Sequence, residues 1–326
     1  MNRENKYDHM ILRAEDKAIN WYPGHMARAK RKLEDQLSRV DVVVELCDAR
    51  IPRASRNPEL DKLVRNKKRL LILNKADLAE EAATRAWLSY FRAQGVDCMS
   101  FDSAKGRAKD LIARIEKAAS EAVAKMAAKG VKKTVRVMIV GVPNVGKSTF
   151  TNKVNGSSIA KTGDRPGVTR SNQWVKITPY LELLDTPGLL WPKLDDQNDA
   201  RALAFVGTIN DQVMDQQMLA IRLLERLMQD KAEAVTARLK LKDQALTGVA
   251  LLEEACRGRG WILPGAVCDT DRGSAVILDE FRAGKLGRIT LQAAPAKRAP
   301  SVTAAPCQLP QEGALKEADQ ASKVDL

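Results

Sequence analysis

The chain is short of histidine and cysteine and has no long apolar run. Histidine occurs only at His9 and His25, so any imidazole chemistry has to come from one of two residues. The five cysteines (Cys47, Cys98, Cys256, Cys268 and Cys307) are an odd, scattered set with no C-x-x-C pair. That argues against a disulfide framework or a zinc site and fits a reducing compartment. No apolar stretch approaches the ~20 residues of a membrane span. The N-terminal residues carry Glu4, Asp8, Glu15 and Asp16 and lack an apolar core. They predict neither a secretory signal nor an Arg-rich transit peptide, so the expected compartment is the cytoplasm and no membrane partner is expected.

What is present is ordinary hydrophobic content over 326 residues, enough for about two domains, and a formal net charge of +13. Such an excess suits nucleic acid, because lysines and arginines gain affinity by releasing phosphate counterions. Charge alone names no partner.

The most informative stretch is Gly141-Val142-Pro143-Asn144-Val145-Gly146-Lys147-Ser148-Thr149, which fits G-x-x-x-x-G-K-[ST]. The β-branched run 135–140 before it reads as a buried strand, and a helix is expected from Thr149 to Asn155. Strand, glycine turn and helix make a phosphate cradle: backbone N–H groups converge on phosphate oxygens and the helix N-terminus adds partial positive charge. Lys147 is expected to reach the β- and γ-phosphates and Ser148 to ligate Mg²⁺.

Upstream, strands are expected at 40–47, 69–73 and 96–101, with helices at 27–40, 56–65, 84–94 and 109–129. The second strand runs into Asn74-Lys75-Ala76-Asp77. A carboxylate at Asp77 can accept from both the ring N–H and the exocyclic amine of guanine, an arrangement adenine does not offer. Asn74 would contact base and loop, and the Lys75 stem would cover the ring. Asp102-Ser103-Ala104 follows the third strand and is placed to back the guanine through a backbone N–H. Downstream, 162–170 is a polar Gly/Pro loop, strands at 174–178 and 181–184 form a hairpin, and the second ends in Asp185-Thr186-Pro187-Gly188. Asp185 would hold Mg²⁺ through water, Gly188 N–H would sense the γ-phosphate, and Thr169 is the second expected Mg²⁺ ligand. Release of both loops on hydrolysis is a GTPase switch.

From Asp195 the pattern turns helical, with helices expected at 199–206, 215–229, 231–239 and 247–257. Leu219, Leu223 and Leu227 repeat at i+4 and mark a helical core. Two segments, 257–261 and 281–288, mix basic and aromatic residues, which suits either RNA contact or turns at helix ends. Residues 293–326 lack periodicity and read as a disordered tail.

The motifs come in an unusual order, with base recognition before the phosphate loop and the Mg²⁺ motifs last. The same sheet closes if the usual termini are joined and the chain is opened before the strand at Val40. This order, with Trp21-Tyr22-Pro23-Gly24-His25-Met26, Asp48-Ala49-Arg50-Ile51-Pro52, 185–192 and 281–288, resembles the circularly permuted GTPases of the YlqF/YawG class over about residues 20–292. The resemblance implies an α/β fold: a circularly permuted Ras-like P-loop GTPase domain (21–194), its mostly parallel sheet flanked by helices, then a small all-α domain (195–292) that contacts RNA. Residues 1–20 and 293–326 lie outside it as extension and tail. It also implies a GTPase that is monomeric off the ribosome, binds the large ribosomal subunit precursor and its rRNA late in assembly, and is stimulated by that subunit. Leu189 stands where Ras-like enzymes carry a water-orienting glutamine. The resemblance points to His25 as the replacement, and to K⁺ near Asn144 in place of an arginine finger. A partner such as tRNA stays open. A small-molecule kinase is disfavoured by Asn74–Asp77, and a non-hydrolysing scaffold by intact Lys147, Ser148, Thr169 and Asp185.

Overall fold

The computed structural model describes residues 34–64, 67–102, 105–130, 133–156, 173–186, 196–209 and 215–295. Its centre is a six-stranded sheet built from β1 (Val42–Asp48), β2 (Lys68–Asn74), β3 (Cys98–Ser100), β4 (Val135–Gly141), β5 (Gln173–Thr178) and β6 (Leu181–Asp185), in the order β3-β2-β1-β4-β6-β5. All pairs are parallel except the β5–β6 hairpin. Central strands of a parallel sheet are covered on both faces, which explains why they read as near-continuous apolar runs. Every residue of β1 is buried, including Glu45 and Asp48. Counted from β4 and continued through the termini, the strand order becomes 2-3-1-4-5-6, the permuted GTPase sheet that the motif order implied.

Register decides where the chemistry gathers. Asp48 lies opposite Asn74, Leu46 opposite Gly141, and Ile139 opposite Asp185. The C-terminal ends of β1, β2, β4 and β6 therefore share one edge of the sheet, the edge at which open α/β sheets bind ligands.

The helices are α1 (Pro58–Leu63), α2 (Glu81–Ala93), α3 (Ala108–Ala127), α4 (Lys147–Asn155), α5 (Gln197–Phe205), α6 (Gln216–Leu239), α7 (Gly248–Arg259) and α8 (Thr270–Arg282). α2 starts three residues before the expected Thr84, and its first turn carries Glu81, whose charge suits a helix N-terminus. The two segments expected at 215–229 and 231–239 are one helix kinked at Lys231 (φ −145°, ψ 38°). Asp196 and Asp215 cap α5 and α6 by accepting from Asn198 N and Met218 N. α8 has no counterpart among the helices expected from the sequence. Asp269 caps it through Arg272 N, and Ile277, Leu278 and Phe281 bury its inner face. Among the described residues no helix is long and apolar enough to cross a membrane.

The described residues up to Ala294 belong to one compact unit. Within it, residues 289–292 strap the helical part to the sheet part. Ile289 N donates to Leu78 O (3.0 Å), Leu291 N to Arg50 O (2.8 Å) and Trp87 Nε1 to Gln292 O (2.8 Å).

Candidate nucleotide site

The phosphate loop connects β4 to α4 and is tied to the base-recognition motif by two side chains. Asn74 Nδ2 donates to Val145 O at 2.8 Å, and Lys75 Nζ donates to Asn144 O at 2.6 Å. Gly146 is needed twice over. Its φ is +98°, and a Cβ there would lie 2.7 Å from Asn74 Nδ2. Asn144 also has positive φ (58°), a conformation asparagine tolerates better than most residues. Lys147 is buried, and its ammonium donates to Gly141 O (3.2 Å) and Val142 O (3.0 Å), inside the curl of the loop. Ser148 is half-buried and Thr149 exposed in the first turn of α4. Thr186, next to the end of β6, donates its hydroxyl to Ile139 O at 2.6 Å and locks that strand end beside the loop.

Around the base motif, Ala76 N donates to Phe101 O (3.4 Å), bringing β3's exit alongside, and Lys105 N donates to Asp102 Oδ1 (3.1 Å). Asp77 is half-buried at the same edge. The structure thus brings together Asn74, Lys75, Ala76, Asp77, Asp102, Asn144, Val145, Gly146, Lys147, Ser148 and Thr149. Asp185 is placed by its backbone, at the end of β6. His25, Ser103, Ala104, Thr169 and Gly188 lie outside the described residues. Among the described residues no group of three or more His, Cys, Asp or Glu could hold a metal. The donors at this edge, a serine hydroxyl at 148 and an aspartate at 185, are hard oxygens of the kind that share Mg²⁺ with substrate phosphates.

Sequence reading missed the support beneath the site. Asp48 and Arg50 are both buried and paired by two guanidinium bonds, from Nε to Oδ1 (2.9 Å) and from Nη2 to Oδ2 (2.7 Å). Lys75 Nζ also lies 3.4 Å from Asp48. Burial alone would push Asp48 up, but the Arg50 guanidinium and then the Lys75 ammonium outweigh it and hold the carboxyl well below the usual carboxylate range. Arg50 Nη1 reaches the carbonyls of Phe281 (3.5 Å) and Arg282 (3.3 Å), with the Phe281 ring 5.4 Å away. The only sequence signal was the D-A-R-I-P run itself, whose acid and base two apart after a strand suggest a local pair.

Of the two readings of the basic–aromatic segments, the structure favours turns at helix ends. Trp261 and Phe281 are buried and so are not available to stack on bases. Arg259 lies over Trp261 and pairs with Glu280, and Gly260 ends α7 in the left-handed region. Lys285 and Arg288 remain exposed.

Comparison with known proteins agrees with this geometry. A family model described as a 50S ribosome-binding GTPase matches residues 136–246. "Ribosome biogenesis GTPase A" of Bacillus cereus is 42% identical over 276 residues, covering 84% of this chain and 93% of that protein. "Mitochondrial ribosome-associated GTPase 1" of Xenopus tropicalis is 34% identical over 226 residues, covering 66% of this chain and 72% of that one. Among solved structures, GNP-bound YlqF from T. maritima superposes with a TM-score of 0.58 at 27% identity, covering 82% of this chain and 98% of that one. With its permuted sheet, its phosphate loop tied to a guanine motif, and identity sustained over most of its length, the chain belongs to the ribosome biogenesis GTPase A family.

Proposed function

We propose that this GTPase times a late step in maturation of the large ribosomal subunit. It binds the subunit precursor and contacts its rRNA in the GTP state, hydrolyses GTP, and leaves with GDP. It acts in the cytoplasm and is a monomer off the ribosome. The observation that carries GTP as substrate is the double tether from Asn74 and Lys75 to the phosphate loop, which makes base and phosphate recognition one rigid unit. The ribosomal partner is supported by the names of the relatives and by the formal net charge of +13.

In this reading Asp77 accepts from guanine, and the loop 102–104 backs the base. Lys147 and the N–H groups of 144–149 hold the phosphates. Ser148, Thr169 and Asp185 would hold Mg²⁺, which when bound offsets charge on the β- and γ-phosphates. The Gly188 N–H senses the γ-phosphate. Asn144 is the residue that would contribute a ligand to K⁺. Hydrolysis is then expected to run about tenfold faster in KCl than in NaCl at equal ionic strength. Equal rates in the two salts would remove K⁺ from the account.

His25 is the proposed water-positioning group, since Leu189 cannot serve. His25→Ala is expected to lower subunit-stimulated turnover about 10²-fold with GTP affinity unchanged. The check is multiple-turnover hydrolysis with purified large subunits, and near-normal turnover of the variant would show that another group orients the water.

A further inference from the structure

The turn after α5 touches the phosphate loop directly, a contact none of the nucleotide motifs includes. The Gly207 carbonyl accepts from Asn144 Nδ2 at 2.7 Å, and the buried Thr208 donates Oγ1 to Pro143 O at 3.2 Å. The turn is held from its other side by Arg282, the last residue of α8. Arg282 donates Nε to Phe205 O and Nη2 to Ala204 O, both at 3.0 Å. These carbonyls lie at the C-terminal end of α5, where a cation is favoured, and Ala204 O also accepts from Gly207 N (2.9 Å). Gly207 has φ +76°, and a Cβ there would lie 3.2 Å from Arg282 Nε, so the guanidinium packs on bare backbone.

A second arm reaches the same loop from the same arginine. The Arg282 carbonyl accepts from Arg50 Nη1, Arg50 grips Asp48, Asp48 pairs with Lys75, and Lys75 donates to Asn144 O. Asn144 is thus held at its side chain through the 206–209 turn and at its carbonyl through Lys75. Both arms meet at Arg282.

We propose that Thr208 and Arg282 are positioning residues for GTP hydrolysis, acting through the 206–209 turn to fix the Asn144 amide in the phosphate loop. This rests on the reading of Asn144 as part of the phosphate site. Neither residue contacts the nucleotide in this account, so their loss should spare binding and slow the chemical step, whose geometry tolerates less displacement.

The test uses the full chain with Thr208→Val, Thr208→Ser, Arg282→Lys, Asn144→Ala and the double variant Asn144→Ala/Thr208→Val. Turnover and the Kd for a fluorescent GTP analogue are both measured. Thr208→Val keeps the side-chain volume and removes the donor, Thr208→Ser restores it, and Arg282→Lys keeps charge but loses the fork. Thr208→Val and Arg282→Lys are expected to lower kcat about tenfold with Kd within about twofold, and Thr208→Ser to stay near wild type. In the Asn144→Ala background, Thr208→Val should add nothing, since the interaction it supports is already gone. If Asn144→Ala turns over normally, the reading of Asn144 fails and the proposal with it. If Asn144→Ala is slow while Thr208→Val and Arg282→Lys both turn over like wild type, the proposal alone fails. An equal loss from Thr208→Val with and without the Asn144 side chain also overturns it.

Discussion

Asp77→Asn is expected to weaken GTP binding by about 10⁴-fold and to make xanthosine triphosphate the better ligand. The carboxylate presents two acceptor oxygens to the two N–H groups on one edge of guanine. An amide keeps one acceptor and turns an NH₂ donor toward the guanine amine, so two donors face each other and a polar group is left unpaired. Xanthine carries a carbonyl where guanine carries that amine, and the amide complements it. Asp77 is only half-buried, so the fold should survive the change. Competition binding with GTP, ATP and xanthosine triphosphate reads the result directly. A variant that still prefers GTP would mean that Asn74–Asp77 does not read the base.

The second large effect concerns stability. Arg50→Ala should cost about 3–5 kcal/mol, the usual penalty for removing one partner of a buried ion pair. Arg50 and Asp48 have side chains 1% and 2% exposed, so the carboxylate left behind is remote from bulk water. The same truncation removes both bonds to the end of α8, so the helical part loosens from β1. The pH dependence has a definite sign. The folded-state pKa of Asp48 is depressed, so the pair's contribution is complete above the unfolded value of about 3.9 and is lost as pH falls through the folded value. In the variant, burial acts on Asp48 with only the Lys75 ammonium left to oppose it, so its pKa rises from the wild-type position. The stability gap between the two proteins should therefore be widest near neutrality and shrink as the medium is acidified toward the carboxylate range. Urea melts at a neutral and a mildly acidic pH measure this, and a gap independent of pH would show that Asp48 is not the group left uncompensated.

Legibility in the sequence followed the range of the interactions. The strands were readable because burial on both faces leaves an apolar run in the chain, as in Val42–Asp48 and Val135–Gly141. The turn from β4 into α4 was readable because its backbone conformation is set within a few residues, as at Gly146. The split between 229 and 231 detected a real break, the kink at Lys231, although the helix resumes beyond it. α8 escaped because Gly273, Ser274 and the β-branched pair Val276-Ile277 weaken its helical pattern, while its stability comes from packing on α6 and α7. Arg50 and Arg282 escaped for a plainer reason. Their bond joins residues 232 apart in the chain, and no local pattern records it. The same distance explains the basic–aromatic segments. Arg259, Trp261 and Phe281 resemble an RNA-binding run in sequence, but their partners in space are Glu280, the helical core and Arg50.

The central claim, a GTPase whose nucleotide state governs its stay on the large-subunit precursor, is tested most directly by sedimentation. Lysate from cells depleted of the protein is supplemented with the purified chain and GTP, GDP or a non-hydrolysable GTP analogue, and run on a sucrose gradient. Co-migration with the large-subunit precursor is expected in the analogue, partial release with GTP, and migration near the top with GDP. Equal distribution in all three nucleotides, or migration with tRNA or free RNA alone, would contradict it.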